Sequence, residues 1–74
     1  MTTFEQLKKE TQGYEFPLFG ENEDGEDETI EIGADKEMGP FFRVTTFQHN
    51  GWTRINIYYE DGTTEEIFEG KDKY

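Results

Sequence analysis

Two dipeptides, Asn50-Gly51 and Asp61-Gly62, constrain this chain most, because each lies between apolar-patterned runs and is a typical signal of a tight hairpin turn. They divide the C-terminal third into three strands, Phe41 to Gln48, Trp52 to Glu60 and Thr63 to Glu69. With Asn50 and Gly51 as the central residues of a type I′ turn, His49 lies opposite Trp52, Thr46 opposite Ile55, Val44 opposite Ile57 and Phe42 opposite Tyr59. That register collects an apolar face and leaves Arg43, Thr45, Phe47, Arg54, Asn56 and Tyr58 on the other. The second turn admits two registers. A two-residue turn sets Ile55 against Phe68 and Ile57 against Glu66; a three-residue turn with Gly62 in a bulge sets Ile55 against Ile67 and Ile57 against Glu65. A one-residue slip exchanges faces, so Ile67 and Phe68 cannot both point inward. The first register is preferred, because Arg54 then faces Glu69 and Phe68 joins the core.

Upstream the signals are shorter. Thr3 followed by Gln6 is a capping-box pattern and predicts a helix over Phe4 to Gln12, ended by Gly13 in the left-handed conformation. Lys8 and Lys9 fall late in it, where cations suit the helix dipole. Tyr14 to Phe19 alternates but contains Pro17, which has no amide proton for a central ladder, so it is expected as an edge strand. Glu21 to Glu28 reads as an acidic, solvated loop around Gly25, Thr29 to Ile32 as a short strand, and Gly33 to Pro40 as a second loop. The expected core is Phe4, Leu7, Tyr14, Phe16, Leu18, Ile30, Ile32, Phe42, Val44, Ile55, Ile57, Tyr59 and Phe68. The predicted architecture is α+β over residues 1–74: a short N-terminal helix packed on an antiparallel sheet of four to five strands ending in a three-stranded β-meander.

At 74 residues the chain is one domain at most, and one of this size buries only about 60% of the surface its unfolded form exposes. Without cysteine it has neither disulfide nor thiolate metal site. Charged residues near the start argue against a signal peptide, and no uncharged run approaches the roughly 20 residues needed to cross a bilayer. A soluble, cytoplasmic protein is expected. The seven Phe, four Tyr and one Trp in patterned runs argue for folding rather than disorder.

Charge decides the class of partner. Eighteen Asp and Glu against seven Lys and Arg give a net charge of −11, the wrong sign for binding a phosphate backbone directly. The acids concentrate in Glu21 to Glu37 and Glu60 to Glu69, where they are complementary to a basic groove. Expected partner-binding residues are Glu21, Glu23, Asp24, Glu26, Asp27, Glu28, Glu60, Asp61, Glu65 and Glu66, with Trp52 and Tyr58 as aromatic anchors of the kind enriched at hot spots. Phe47 and Tyr74 are further rim aromatics, and Arg43, Phe47, Trp52 and Arg54 form a mixed aromatic and basic patch. The segment from Gly20 touches the calcium-loop pattern at Asn22, Asp24, Gly25 and Glu31, but Gly20 occupies its first ligand place and a strand follows it.

Catalysis has little to rest on. The chain has no Ser or Cys, and its single histidine, His49, adjoins a turn. No cofactor and no metal are expected. In size, acidity and lack of a catalytic set the chain is similar, in composition only, to phage-encoded inhibitors of host defence or repair enzymes such as anti-CRISPR and anti-restriction proteins. The expected function is inhibition of a nucleic-acid-processing protein through its basic surface, in the host cytoplasm if the chain is phage-encoded. The alternative is a structural or regulatory interaction module, possibly homodimeric, without mimicry.

Overall fold

The structure is a computed structural model that describes residues 3–70; Tyr74 lies outside the described residues. One helix, α1 (Phe4–Glu10), precedes five strands, β1 (Leu18–Glu21), β2 (Asp27–Asp35), β3 (Gly39–Phe47), β4 (Thr53–Tyr59) and β5 (Thr64–Glu69). The strands lie in sequence order in one sheet, each antiparallel to its neighbour.

Thr3 caps α1 in extended backbone, and its Oγ1 accepts the Gln6 amide proton at 3.2 Å. The other half of the expected capping box does not form, because the Gln6 side chain donates to Glu10 one turn on. The helix also stops at Glu10 rather than Gln12. There Thr11 turns its hydroxyl back to the Leu7 carbonyl at 2.7 Å, where its own amide already donates at 3.0 Å, so one carbonyl takes both donors of the capping residue. Gly13 follows at φ +88°, the left-handed conformation expected of it. Strand β1 begins only at Leu18, so Pro17 stays off the ladder and Tyr14 to Pro17 is not strand.

The hairpin registers depart from the type I′ expectation for one reason. Type I′ needs positive φ at both central residues, and no non-glycine residue among those described has it. Each loop is instead three residues long with the glycine last. Gln48 donates to the Trp52 carbonyl and Gly51 to the Gln48 carbonyl, and Tyr59, Thr63 and Gly62 repeat this arrangement. Gly51 (φ +93°) and Gly62 (φ +95°) form the bulge. The Asx residue before each glycine locks the loop: Asn50 Oδ1 accepts from the Trp52 amide and Asp61 Oδ1 from the Thr63 amide, both at 2.9 Å.

The added loop residue slips β4 by one against β3, pairing Thr46 with Arg54, Val44 with Asn56 and Phe42 with Tyr58. Arg54, Asn56 and Tyr58 therefore share the helix side with Phe42 and Val44, while Ile55, Ile57 and Tyr59 move to the opposite face. On β5, Ile67 pairs with Ile55 and Phe68 with Arg54, so the second turn takes the three-residue register.

The core on the helix side is small. Phe4 and Leu7 pack on Phe42 and Val44, with Phe16, Ile30 and Tyr58 partly buried around them. Phe42 is its centre, 4.9 Å from the Phe4 ring centroid and 6.0 Å from that of Phe16. Seven residues make a helix about 10 Å long, too short to roof five strands. Tyr14, Ile32 and Phe68 consequently stay exposed, against the expectation that they join the core.

The other face holds a second apolar contact. Phe41 lies over Gly33, its cross-strand partner, and meets the buried Tyr59 ring edge-on at 5.7 Å. A β-carbon on Gly33 would stand 2.6 Å from Phe41 Cζ, so the ring must move to admit one. Gly33→Ala should lower stability by about 1 to 2 kcal/mol through this overpacking, read as a reduced urea midpoint with unchanged m-value. Gly20→Ala, where the added carbon meets nothing within 4 Å, should change the midpoint much less.

Candidate interaction surface

Cross-strand partners project to the same side, so the register assigns every strand residue to a face. On the face away from α1, one row runs Glu21, Asp27, Phe47, Thr53 and Glu69 from β1 to β5. The next runs Phe19, Thr29, Thr45, Ile55 and Ile67, with no charge in it. The third runs Glu31, Arg43, Ile57 and Glu65, and the fourth Gly33, Phe41 and Tyr59. The face thus has an uncharged centre, with acids beside it and Arg43 as its one strand base. Arg43 is already engaged: its Nη2 and Nε donate to Glu31 Oε1 at 2.6 and 3.0 Å.

The expected binding residues do not form one surface. Glu21 and Asp27 lie in the first row, Glu23 and Asp24 in the turn between β1 and β2. Glu65 is on the helix-free face, where Tyr59 Oη donates to it at 3.2 Å. Glu60 and Asp61 occupy the turn at the opposite end of the sheet. Glu28 and Glu66 face the helix side; Glu28 accepts from the hydroxyl of Thr46, which is fully buried. Tyr58 is also on that side, partly buried against the core. Trp52 stays 47% exposed and lies beside Gly70. The proposed aromatic and basic patch is divided, since Arg43 and Phe47 face one way and Arg54 the other. Arg54 Nε is buried with no hydrogen-bond partner among the described residues.

The acidic segment is not the solvated loop expected from its composition. Glu21 and Asp27 to Asp35 are strand, and only a tight turn separates them. That turn repeats the bulge of the other two, with Gly25 at φ +82°. Asn22 organises it, accepting the Asp24 and Glu26 amides on Oδ1 and donating through Nδ2 to Glu26. The β3–β4 turn then clasps it. The His49 amide donates to Glu26 Oε2 at 2.9 Å, and His49 Nε2 lies 3.0 Å from the Asp24 carbonyl, a contact that requires the proton on Nε2.

Several ionisable groups record these contacts. Hydrogen bonds from the Asn22 side chain and the His49 amide hold the Glu26 carboxyl below its ordinary range. The Met38 and Glu37 amides do the same for Asp35, and Thr63 for Asp61. Burial pushes the Tyr58 phenol up against the pull of Arg54, and burial with the Glu65 hydrogen bond raises Tyr59. Among the described residues no group of three or more His, Asp or Glu is placed to hold a metal ion, and no helix is long and apolar enough to cross a membrane.

Sequence reasoning missed Phe19, Phe41, Ile55, Ile57, Ile67 and Glu69 as members of one surface. The signal was the shared pattern of Glu23-Asp24-Gly25, His49-Asn50-Gly51 and Glu60-Asp61-Gly62, three three-residue loops of one kind. Comparison with protein-family models, curated proteins and solved structures finds no match to this chain.

The Glu26 contacts set a pH dependence. With its folded pKa depressed, Glu26 adds stability that is present above the ordinary value of 4.5 and is lost as pH falls through the folded value. Glu26→Gln keeps an acceptor oxygen but removes the titration. Its urea midpoint should fall less steeply than the parent's below about pH 4.5, while relief of repulsion among the other acids affects both proteins alike. Parallel pH profiles would refute the clasp.

Proposed function

We propose that this chain is a non-catalytic acidic binding protein that inhibits a nucleic-acid-processing protein by occupying its basic nucleic-acid-binding surface. This is the anti-defence role of phage anti-CRISPR and anti-restriction proteins, and it would be exercised in a host cytoplasm. The observation that carries the reading is the gathering of acids at one end of the sheet. Glu21, Glu23, Asp24 and Asp27 from one sequence run lie together there, and Glu69 from the other run ends the same row at the far edge of the sheet, about 19 Å from Glu21 across four strand spacings. Their spacing follows the sheet, about 4.8 Å between strands and nearly 7 Å along one, so the charges are held on a scaffold before a partner arrives. Such preordered charge accelerates encounter and rejects partners of like sign. His49, tied into the turns, supports the non-catalytic reading.

A second reading, an interaction module without mimicry, draws on the uncovered apolar face alone and sets its acidic border aside; light scattering that gives twice the chain mass would establish its homodimeric form.

The immobilised chain should retain a nucleic-acid-binding protein from nuclease-treated lysate. Retention should fall steeply with salt, and added nucleic acid should displace that protein. Salt-insensitive retention, or nucleic acid bound together with the chain, would exclude mimicry.

A further inference from the structure

We infer that the docking face of this protein is the side of the sheet away from α1, and that its occupant is a protein surface presenting an apolar ridge flanked by Lys and Arg. The inference rests on the binding reading above and adds where the partner sits and what chemistry it presents.

Three observations converge on this face. First, it is apolar and open. Phe19 is 78% exposed, Phe47 51% and Ile67 41%, and Ile55 and Ile57 are only half-buried. These residues adjoin one another in the first three rows, whereas scattered single exposed apolar side chains are ordinary. Second, its charge selects against a second copy. Glu21, Asp27, Glu31, Asp35, Glu65 and Glu69 share the face with Arg43, and Arg43 is paired to Glu31. Two such faces stacked together would bring like charges into a desolvated border, which costs association energy. A ridge of apolar side chains bordered by cations meets the centre and border at once. Third, the size is adequate. Strands of four to nine residues, at about 3.3 Å per residue and 4.8 Å per strand, give a face of roughly 550 Å², the size of a small, transient contact. The apolar row supplies the dry centre of such a contact and the acids its rim.

The helix side offers a different chemistry. The groove between α1 and the Tyr14 to Phe16 segment is lined by Lys8 and Lys9 with Glu5, beside Ile32 and Phe42, so bases outnumber acids in it and it suits a basic ridge less well.

A heptapeptide alternating Lys and Leu, blocked at both ends, probes this directly by amide NMR titration of the isotopically labelled chain. The expected shifts fall on Phe19, Thr29, Thr45, Ile55 and Ile67. Replacing Leu by Ser in the peptide, or Lys by Glu, should each weaken binding at least tenfold. Because Phe19 and Ile67 are exposed, Phe19→Ser with Ile67→Ser should leave the spectrum folded and also weaken binding at least tenfold. Phe68→Ser with Ile32→Ser, which removes two exposed apolar side chains from the helix side, should change it less than twofold. Shifts confined to the turns at Asp24 and Asp61 or to the Lys8 groove, an unchanged affinity in the double variant, or protection of this face in a self-dimer would each overturn the inference. The two claims fail separately. A captured partner displaced by nucleic acid but retained equally by the double variant keeps mimicry and removes this face. A partner lost with the double variant but indifferent to nucleic acid keeps the face and removes mimicry.

Discussion

A glycine in the left-handed conformation at the third position of a loop, preceded by an Asx side chain that holds the amide two residues on, is the constraint on which the rest of this structure depends. Gly51 and Gly62 each occupy that place. The extra loop residue shifts each following strand by one, and the two-residue period of a strand turns one position into an exchange of faces. Ile55, Ile57 and Tyr59 leave the helix side for that reason, and Arg54, Asn56 and Tyr58 take their places.

The exchange leaves apolar surface on both sides of a sheet that one short helix can cover only in part. On the helix side Phe42 joins α1, the Phe16 segment and β3 into a core. On the other, Phe41 closes over Gly33 and Tyr59, and the rows beyond it remain open. A domain this small has little burial to spare, yet Phe19 and Phe47 stay in water because no element covers that face.

The acids fall into two kinds. Asp35 and Asp61 accept turn backbone amides, and Glu26 accepts the Asn22 side chain and the His49 amide, which lowers their proton affinity and shapes the loops. Glu21, Glu23 and Asp27 stay exposed at one end of the sheet. The Glu31–Arg43 pair is itself exposed and contributes at most about 1 kcal/mol; its larger effect is to leave the border of the apolar rows acidic. Local hydrogen bonding thus engages part of the charge and leaves the remainder exposed to solvent.

The residues themselves made the helix start at Thr3, the strand-forming runs, the mostly antiparallel character and the acidity legible, because cap chemistry, β-branching, turn glycines and charge act locally. Phe42, Val44, Phe4 and Leu7 were legible as core for the same reason. Which side of the sheet Ile55 and Ile57 occupy was not. The choice between a two-residue and a three-residue loop turns on whether Asn50 and Asp61 adopt positive φ, and both loops contain the same dipeptides. Tertiary structure also decided that the acids at Glu21 and Glu69, 48 positions apart in the chain, lie at the ends of one row. Neighbours across an antiparallel sheet are set by register, a property of paired strands that no single strand carries.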